Sequence, residues 1–185
     1  MTLLPSFSYT PPANLKFSDG IEWRTDGSLK VSHYEVVMRR GVTREQLLAQ
    51  RIRQFVPNYD NYKGLSTAQK QMFEATLTRM NNWHWVPVIL LPPYSDDLLS
   101  VIKQHGWNAR HRQVVQYLAD LQTRYRMVVI DFSDVHSFGG WSTGLYDGIH
   151  GSSSLMRRML RHAVAASGSA LDPTVPYALP RSSRY

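Results

Sequence analysis

The sequence predicts a mixed α/β fold built in layers around a parallel sheet. Two almost wholly apolar runs indicate buried strands, residues 86–91 before Pro92 and Pro93, and residues 127–130 before Asp131. Segments with a helical period of apolar residues lie between and around these runs. Strands that alternate with helices pair in parallel, so this order favours a parallel sheet.

Three regions follow from the composition along the chain. Residues 1–35 are rich in Pro, Gly, Ser and Asp, which predicts an extended leader and loops, with a short strand pair around Glu22–Trp23 and Lys30–Val31. Residues 36–166 form the predicted α/β domain. Residues 167–185 are expected to be a surface or flexible tail.

Two helices precede the first apolar strand. The segment "VTREQLLAQRIRQFV" has Thr43 as its N-cap and Gln46 at the third position after it, and "STAQKQMFEATLTRMNNWH" begins at the N-cap Ser66. Each helix is expected to bury one apolar stripe. The predicted stripes are Leu47, Leu48, Ile52 and Phe55 in the first helix, and Met72, Phe73, Leu77 and Met80 in the second.

Three more helices are predicted after the first strand. Ser95 caps a helix that has two acidic residues in its first turn and ends at Gly106. The next helix, "NARHRQVVQYLADLQTRYR", leads into the second strand, and "SSSLMRRMLRHAVAAS" is the last. The inward residues of the middle helix are expected to be Val114, Val115, Leu118 and Leu121.

Two strong strands are few for a parallel sheet, because a stable sheet of this kind has about four or more strands. Weak strands within residues 1–35 would complete the sheet from the same chain. Otherwise the sheet is completed by something outside this chain, and the predicted fold is then incomplete at its N-terminus.

The bulk composition is that of an ordinary globular domain. The chain has 185 residues, of which 43% are hydrophobic and 19% charged, enough for one domain with a sizeable core. The absence of cysteine excludes disulfides, cysteine-ligated zinc, iron–sulfur clusters and thiol nucleophiles. We predict no cofactor.

The net charge of +7 makes an anionic partner conceivable, but the basic residues are spread over the solvated faces of predicted helices, so nucleic acid is not favoured. No apolar run of about 18 residues predicts a membrane span. The proline-broken N-terminus lacks the basic start of a signal peptide. We therefore expect a cytoplasmic location for a complete chain, and an extracytoplasmic one if an export segment has been lost.

Polar residues collect after the second strand, where ligands bind at the carboxyl ends of a parallel sheet. Asp147 and His150 stand three residues apart in a glycine-containing loop before the last helix. A histidine can move a proton between an attacking hydroxyl and a leaving group, and a carboxylate on its other nitrogen fixes the tautomer. The alternative is structural, with Asp147 capping a turn and His150 capping the last helix.

A metal site competes with this acid–base pair. Asp131, Asp134, His136 and His150 could together supply carboxylate and imidazole ligands for zinc or manganese. No spacing of a recognised metal motif links them, so we predict no metal site. Asp134 is expected to hold the loop through its own backbone.

Three segments, "VPVILLPPYSDDLLSVIKQHG", "MVVIDFSDVHSFG" and "LYDGIHGSSSLMRRML", occur in an order that resembles the C-terminal half of the SGNH (GDSL-like) hydrolase superfamily. The chain looks most similar to the SGNH-hydrolase-like proteins of bacterial surface-polysaccharide and cell-wall acylation systems. The resemblance covers about residues 66–166, and its D-G-x-H block is the most specific part.

The resemblance implies a three-layer α/β/α sandwich of the SGNH or flavodoxin-like kind. It also implies a serine esterase or O-acyltransferase that acts on an acylated carbohydrate or a similar ester. In that chemistry His150 is the base and Asp147 orients it. Trp141 and Tyr146 would line the carbohydrate or acyl pocket.

One part of the family pattern is absent, namely the Gly-Asp-Ser block that carries the nucleophile at the end of the first strand. "TDGSL" at residues 25–29 has another order and no apolar strand before it, which a nucleophile elbow requires. The nucleophile is therefore unknown. The candidate serines are Ser28, Ser95, Ser133, Ser137, Ser142 and Ser152.

Three explanations for the missing block remain open. The chain is a fragment, a degenerate relative without catalysis, or one half of a split protein whose partner supplies the rest. The predicted function is an SGNH-like ester hydrolase or acyltransferase, inactive in this chain if the nucleophile is lacking. The alternative is a non-catalytic binding or assembly protein on the same scaffold.

Overall fold

A computed structural model describes residues 22–23 and 29–171 of the chain. The fold is mixed α/β and mostly helical, with a small parallel sheet of two strands among the described residues. The chain divides into two compact units, residues 1–47 and residues 48–185, and each is described by itself. Ser28 lies outside the described residues, as does the predicted tail beyond residue 171.

The first unit contains a short antiparallel strand pair, β1 (Glu22–Trp23) and β2 (Leu29–Val31), which confirms the predicted pair. Helix α1 (His33–Arg39) follows directly. Its N-cap Ser32 accepts a hydrogen bond from the Glu35 N–H at 3.2 Å and donates its own N–H to the Glu35 carboxylate at 2.7 Å. This capping box fixes the start of α1, which the sequence prediction had not identified as a helix.

Helix α2 (Arg44–Asp60) begins where the sequence predicted. The Thr43 N–H donates to Gln46 Oε1 at 2.9 Å, and the Gln46 N–H donates to Thr43 Oγ1 at 3.3 Å. The predicted cap at Thr43 is thus confirmed. The helix continues through Pro57, beyond the predicted segment.

The second unit contains most of the regular structure. Its elements after α2 are α3 (Thr67–Asn82), β3 (Val88–Leu91), α4 (Asp96–Gln104), α5 (Trp107–Gln122), β4 (Val128–Asp131) and α6 (Ser153–Leu171). Two short 3-10 turns, Val135–Phe138 and Ser142–Gly144, lie between β4 and α6. The predicted N-caps Ser66 and Ser95 are confirmed, and Gly106, with a φ of 81°, separates α4 from α5.

Strands β3 and β4 pair in parallel, as predicted, in a register that runs from Val88 opposite Val128 to Leu91 opposite Asp131. The prediction that both apolar strands are buried is wrong, because all eight residues are only half-buried. The reason is the size of the sheet. Among the described residues each strand has a single neighbour, so both are edge strands.

Side chains of the two strands alternate between two apolar clusters. Ile89, Leu91 and Val129 pack against a cluster centred on α3 and α5. Leu90 and Ile130 pack against a second cluster, formed by α6 and the segment after β4. A third cluster joins α2 to α4 and the start of α5 around Leu98, Ile102 and Trp107.

One member of the predicted stripe of α3 is misplaced. Leu77 is buried, with 1% of its surface exposed, but Met72 is 72% exposed. Met72 precedes Leu77 by five positions, which places it about 140° around the helix from Leu77. The buried face of α3 is therefore narrower than the sequence pattern indicated, and Met72 lies outside it.

No helix within the described part of the chain is both long and apolar enough to cross a lipid bilayer.

Helix α3 offers a test of this packing. We expect Leu77→Ala to lower the free energy of unfolding by about 2–5 kcal/mol, because it leaves a cavity beside Leu118 and Leu121. Met72→Ala on the same helix should change it by no more than about 0.5 kcal/mol. Urea unfolding followed by circular dichroism measures both. Equal losses for the two variants would contradict the described orientation of α3.

Candidate acid–base site in the loop before α6

The loop that carries Asp147 and His150 is closed by backbone hydrogen bonds. The Tyr146 N–H donates to the His150 carbonyl at 2.8 Å, and Leu145 and Gly151 form an antiparallel bridge just outside it. The Ser152 N–H, at the start of α6, donates to the Gly144 carbonyl at 2.8 Å. These bonds fold residues 145–151 into a tight turn that enters the last helix.

Gly148 lets this turn pack directly against α4. Its φ is 96°, and a Cβ built there would come within 2.9 Å of the Cβ of Leu98, a fully buried residue. The Gly148 carbonyl accepts a hydrogen bond from the Ser95 N–H at 2.9 Å. Only glycine combines this backbone conformation with so close an approach.

The Asp147 carboxylate is buried, with 1% of the residue exposed, and it organises the turn. Its Oδ1 accepts hydrogen bonds from the backbone N–H groups of Ile149 at 3.1 Å and His150 at 2.9 Å. Its Oδ2 lies 2.9 Å from the His150 Nδ1. The structure therefore brings the two sequence-predicted residues into direct contact.

A third side chain, Arg51 of α2, completes the arrangement. Its Nε donates to Asp147 Oδ2 at 2.8 Å, and its Nη2 donates to the same oxygen. Nη2 also lies 3.5 Å from the His150 Nδ1. The sequence prediction did not include Arg51, because a basic residue on an amphipathic helix is ordinarily part of a solvated face.

These contacts determine the charge of the carboxyl group. Burial by itself raises the pKa of Asp147, but the hydrogen bonds from the His150 ring and backbone, followed by those from Arg51, outweigh burial and hold the pKa well below its usual range. Asp147 is therefore ionised at neutral pH. A carboxylate only accepts hydrogen bonds, so the His150 Nδ1 carries the hydrogen and Nε2 is the nitrogen that can accept a proton.

The described candidate serines form hydrogen bonds with groups other than His150. The partners are the Leu98 N–H for Ser95, the His111 ring for Ser133, the Asp134 carbonyl for Ser137, the Asp96 N–H for Ser142 and the Ser154 hydroxyl for Ser152. Ser28, the remaining candidate, lies outside the described residues.

Trp141 and Tyr146 occupy different environments. Trp141 is 38% exposed, and the Arg158 guanidinium lies 5.8 Å from the centre of its ring. Tyr146 is half-buried at the start of the turn. Trp141 is thus an exposed aromatic surface near the loop, and Tyr146 is part of the loop itself.

The residues considered as metal ligands have separate partners. Asp131 pairs with His111, His136 pairs with Asp96, and His150 pairs with Asp147. Asp134 caps the following 3-10 turn by accepting from the His136 N–H at 2.9 Å, as the sequence predicted. No group of three metal-ligating side chains forms within the part of the chain that the structure describes.

A second Asp–His contact lies at the end of β4 and was not predicted. The His111 Nε2 is 2.8 Å from Asp131 Oδ2 and 3.1 Å from Ser133 Oγ. Burial raises the pKa of Asp131, but hydrogen bonds from His111 and Ser133 outweigh it and lower that pKa overall. No sequence spacing could reveal this contact, because His111 lies on α5, whereas Asp131 ends β4 and Ser133 follows that strand.

This cluster is not a catalytic triad. A triad has the carboxylate on one ring nitrogen and the nucleophile on the other. Here both oxygens approach the same nitrogen, Nε2, which carries the hydrogen that Asp131 accepts. His111 therefore cannot take the Ser133 proton through this contact.

Comparisons of the chain with models of protein families, with curated proteins and with solved structures gave no match. The resemblance to SGNH hydrolases stays a prediction that rests on the three quoted segments.

The packing of Gly148 predicts a large effect of one methyl group. Gly148→Ala should lower the free energy of unfolding by about 2–5 kcal/mol, because it adds steric overlap with Leu98 to an unfavourable φ. Gly41 is a matched control, since its φ is 91° but nothing lies within 4 Å of an added Cβ. Gly41→Ala should cost about 1–2 kcal/mol. Equal costs in thermal or urea unfolding would rule out the close approach to Leu98.

The ionised Asp147 predicts how stability depends on pH. Its folded-state pKa is depressed, so its contribution is present above the unfolded value of about 3.9 and is lost as pH falls towards the folded value. Unfolding free energies measured from pH 7 to pH 3 should therefore fall below about pH 5. Asp147→Asn should be less stable at pH 7 but lose less over this range. If the unfolding free energies of the wild type and of Asp147→Asn fell by the same amount between pH 7 and pH 3, the pKa of Asp147 would not be depressed.

Proposed function

We propose that this chain carries the base and the orienting carboxylate of an SGNH-type carboxyl-ester hydrolase or O-acyltransferase. The substrate class that we propose is an acylated carbohydrate or a similar ester. The observation that carries this proposal is the contact of 2.9 Å between Asp147 Oδ2 and the His150 Nδ1, in a loop that leads into the last helix. It fixes the tautomer in which Nε2 can accept a proton.

In the proposed reaction His150 Nε2 takes the proton of a nucleophilic hydroxyl as its oxygen attacks the ester carbonyl carbon. The imidazolium then returns that proton to the departing alkoxide oxygen, so that an alcohol leaves and an acyl group remains on the nucleophile. Water, or the hydroxyl of an acceptor sugar, releases the acyl group by the same two proton transfers. Asp147 stays ionised throughout and orients the ring.

We further propose that the two parallel strands belong to a three-layer α/β/α sandwich. In support, Ile89, Leu91 and Val129 pack against the cluster of α3 and α5, and Leu90 and Ile130 pack against the cluster of α6. Residues of both strands thus alternate between two helical layers. Further strands beside β3 or β4 would bury the half-exposed positions of the sheet.

A second candidate function is a non-catalytic binding or assembly protein on the same scaffold. Arg51 favours it, because its guanidinium donates from Nε and Nη2 to Asp147 Oδ2. The carboxylate thus pairs with an arginine of α2 as well as with the His150 ring, as is typical of an aspartate that holds a turn in place. The described candidate serines also favour the binding function, because their hydroxyls already form hydrogen bonds with groups other than His150, unless a partner protein supplies the nucleophile.

Labelling with a fluorophosphonate and hydrolysis of p-nitrophenyl acetate decide between the two functions. If the chain is an esterase, His150→Asn should lower the rate of hydrolysis by about 10³–10⁴-fold and abolish labelling. His105→Asn is the matched control, because His105 also bonds an aspartate through Nδ1, at 2.9 Å from Asp60 Oδ1, but lies at the C-terminal cap of α4. It should change neither readout.

Mass spectrometry of the labelled peptide would identify the nucleophile, with Ser28 included among the candidates. An unlabelled wild-type chain that folds normally and does not hydrolyse the ester would exclude the esterase and leave the binding protein. Activity that survives in His150→Asn would equally exclude His150 as the base.

A further inference from the structure

A cavity of about 340 Å³ opens at the carboxyl ends of β3 and β4 within the second unit. Ligand sites of globular proteins begin at about this volume, and open parallel sheets bind ligands at this end. The lining is mostly apolar and aromatic. Its aromatic members are Phe55, Tyr59, Tyr62, Tyr94 and Trp107.

Tyr59 contributes a neutral hydroxyl to this lining. Burial, followed by a hydrogen bond with Tyr94, raises the pKa of the Tyr59 phenol well above its usual value. Tyr59 therefore remains uncharged at any physiological pH.

Arg110 supplies a positive charge to the lining. Its guanidinium carbon lies 5.6 Å from the centre of the Tyr59 ring and 5.4 Å from that of Tyr62, and its Nη1 donates to the His105 carbonyl. Among the described residues, Arg110 forms no ion pair with a carboxylate. It is therefore held in place by aromatic faces and one carbonyl, and its charge is not neutralised.

The neighbouring residue His111 is also fixed. Its ring stacks on Trp107 with the centroids 4.4 Å apart and the planes 13° from parallel, while Nε2 is held by Asp131 and Ser133. Any positive charge on His111 is balanced by the Asp131 carboxylate. The lining therefore carries an excess of positive charge, which Arg110 supplies.

We propose that this cavity binds a small, planar aromatic monocarboxylate. The aromatic walls match a flat apolar body, and the Arg110 guanidinium matches a single carboxylate, which it can bind through two parallel N–H groups. A sugar fits less well, since the lining is mostly apolar and the Tyr62 hydroxyl already bonds Gln113 Oε1 at 3.0 Å. A cationic ligand would be repelled by Arg110.

The cavity shares no residue with the Asp147–His150 loop. The proposed binding therefore stands independently of esterase activity. It is tested by binding alone.

The test uses two aromatic probes of the same shape, 2-naphthoate and the neutral 2-naphthalenemethanol, each titrated up to about 5 mM. Methyl NMR signals of Leu65, Leu91 and Val114, which line the cavity, report binding there. We expect 2-naphthoate to shift these signals with a Kd below about 1 mM, and the alcohol to bind at least about tenfold more weakly. Absence of shifts with 2-naphthoate, or equal affinities, would overturn the proposal.

Two variants at positions two residues apart on α5 separate a specific contact from a general effect of charge. Arg110→Gln should weaken 2-naphthoate binding by about tenfold or more, whereas Arg112→Gln, which removes the same charge from an exposed position, should leave it unchanged. An equal loss of 2-naphthoate affinity in both variants would show that only the net charge of the protein matters, and it would overturn the proposed site.

Arg110 also bonds the carbonyl of His105, so thermal unfolding must show that Arg110→Gln is folded. Leu65→Trp provides a second variant that fills the cavity without changing charge. It should abolish the shifts caused by both probes. Undiminished binding of 2-naphthoate to a folded Leu65→Trp protein would place the ligand elsewhere and overturn the proposal.

Discussion

The buried carboxylate of Asp147 is the constraint on which the loop before α6 depends. An ionised group with 1% exposure is tolerated only where hydrogen bonds and a counter-charge replace its water. Two backbone N–H groups and the His150 ring supply part of that replacement, and Arg51, 96 positions earlier in the chain, supplies the charge. The contact between Arg51 of α2 and Asp147 of the loop therefore fixes the position of α2 relative to the loop.

The same contacts suit both a structural role and the proposed catalytic one. A carboxylate that holds a turn and one that orients a base accept the same hydrogen bonds. What differs is the nitrogen that each role requires. The proposed catalysis needs His150 Nε2 to reach a nucleophilic hydroxyl, whereas a structural turn needs only the contact between His150 Nδ1 and Asp147.

Features that depend on neighbouring residues could be predicted from the sequence. The caps at Thr43, Ser66 and Ser95 are set within one helical turn, and the parallel pairing of β3 with β4 follows from two apolar runs separated by helices. Contacts between distant segments could not be predicted in this way. Arg51 and His111 have no local pattern that distinguishes them from solvated helix residues, and the half-burial of the strands depends on how many neighbours the sheet provides.

The Asp147–His150 and Asp131–His111 contacts show that the ring nitrogen that meets the carboxylate matters more than the pairing of the two residue types. On His150 the carboxylate takes Nδ1 and leaves Nε2 to accept a proton, which is the arrangement that an acid–base role needs. On His111 the carboxylate takes Nε2, shares it with Ser133, and the ring stacks on Trp107. That ring is held as part of a wall, so the cavity beside it has the properties of a binding site rather than a reaction centre. The residue types are the same in both contacts, and only the ring nitrogen that the carboxylate meets distinguishes the arrangement suited to proton transfer from the structural one.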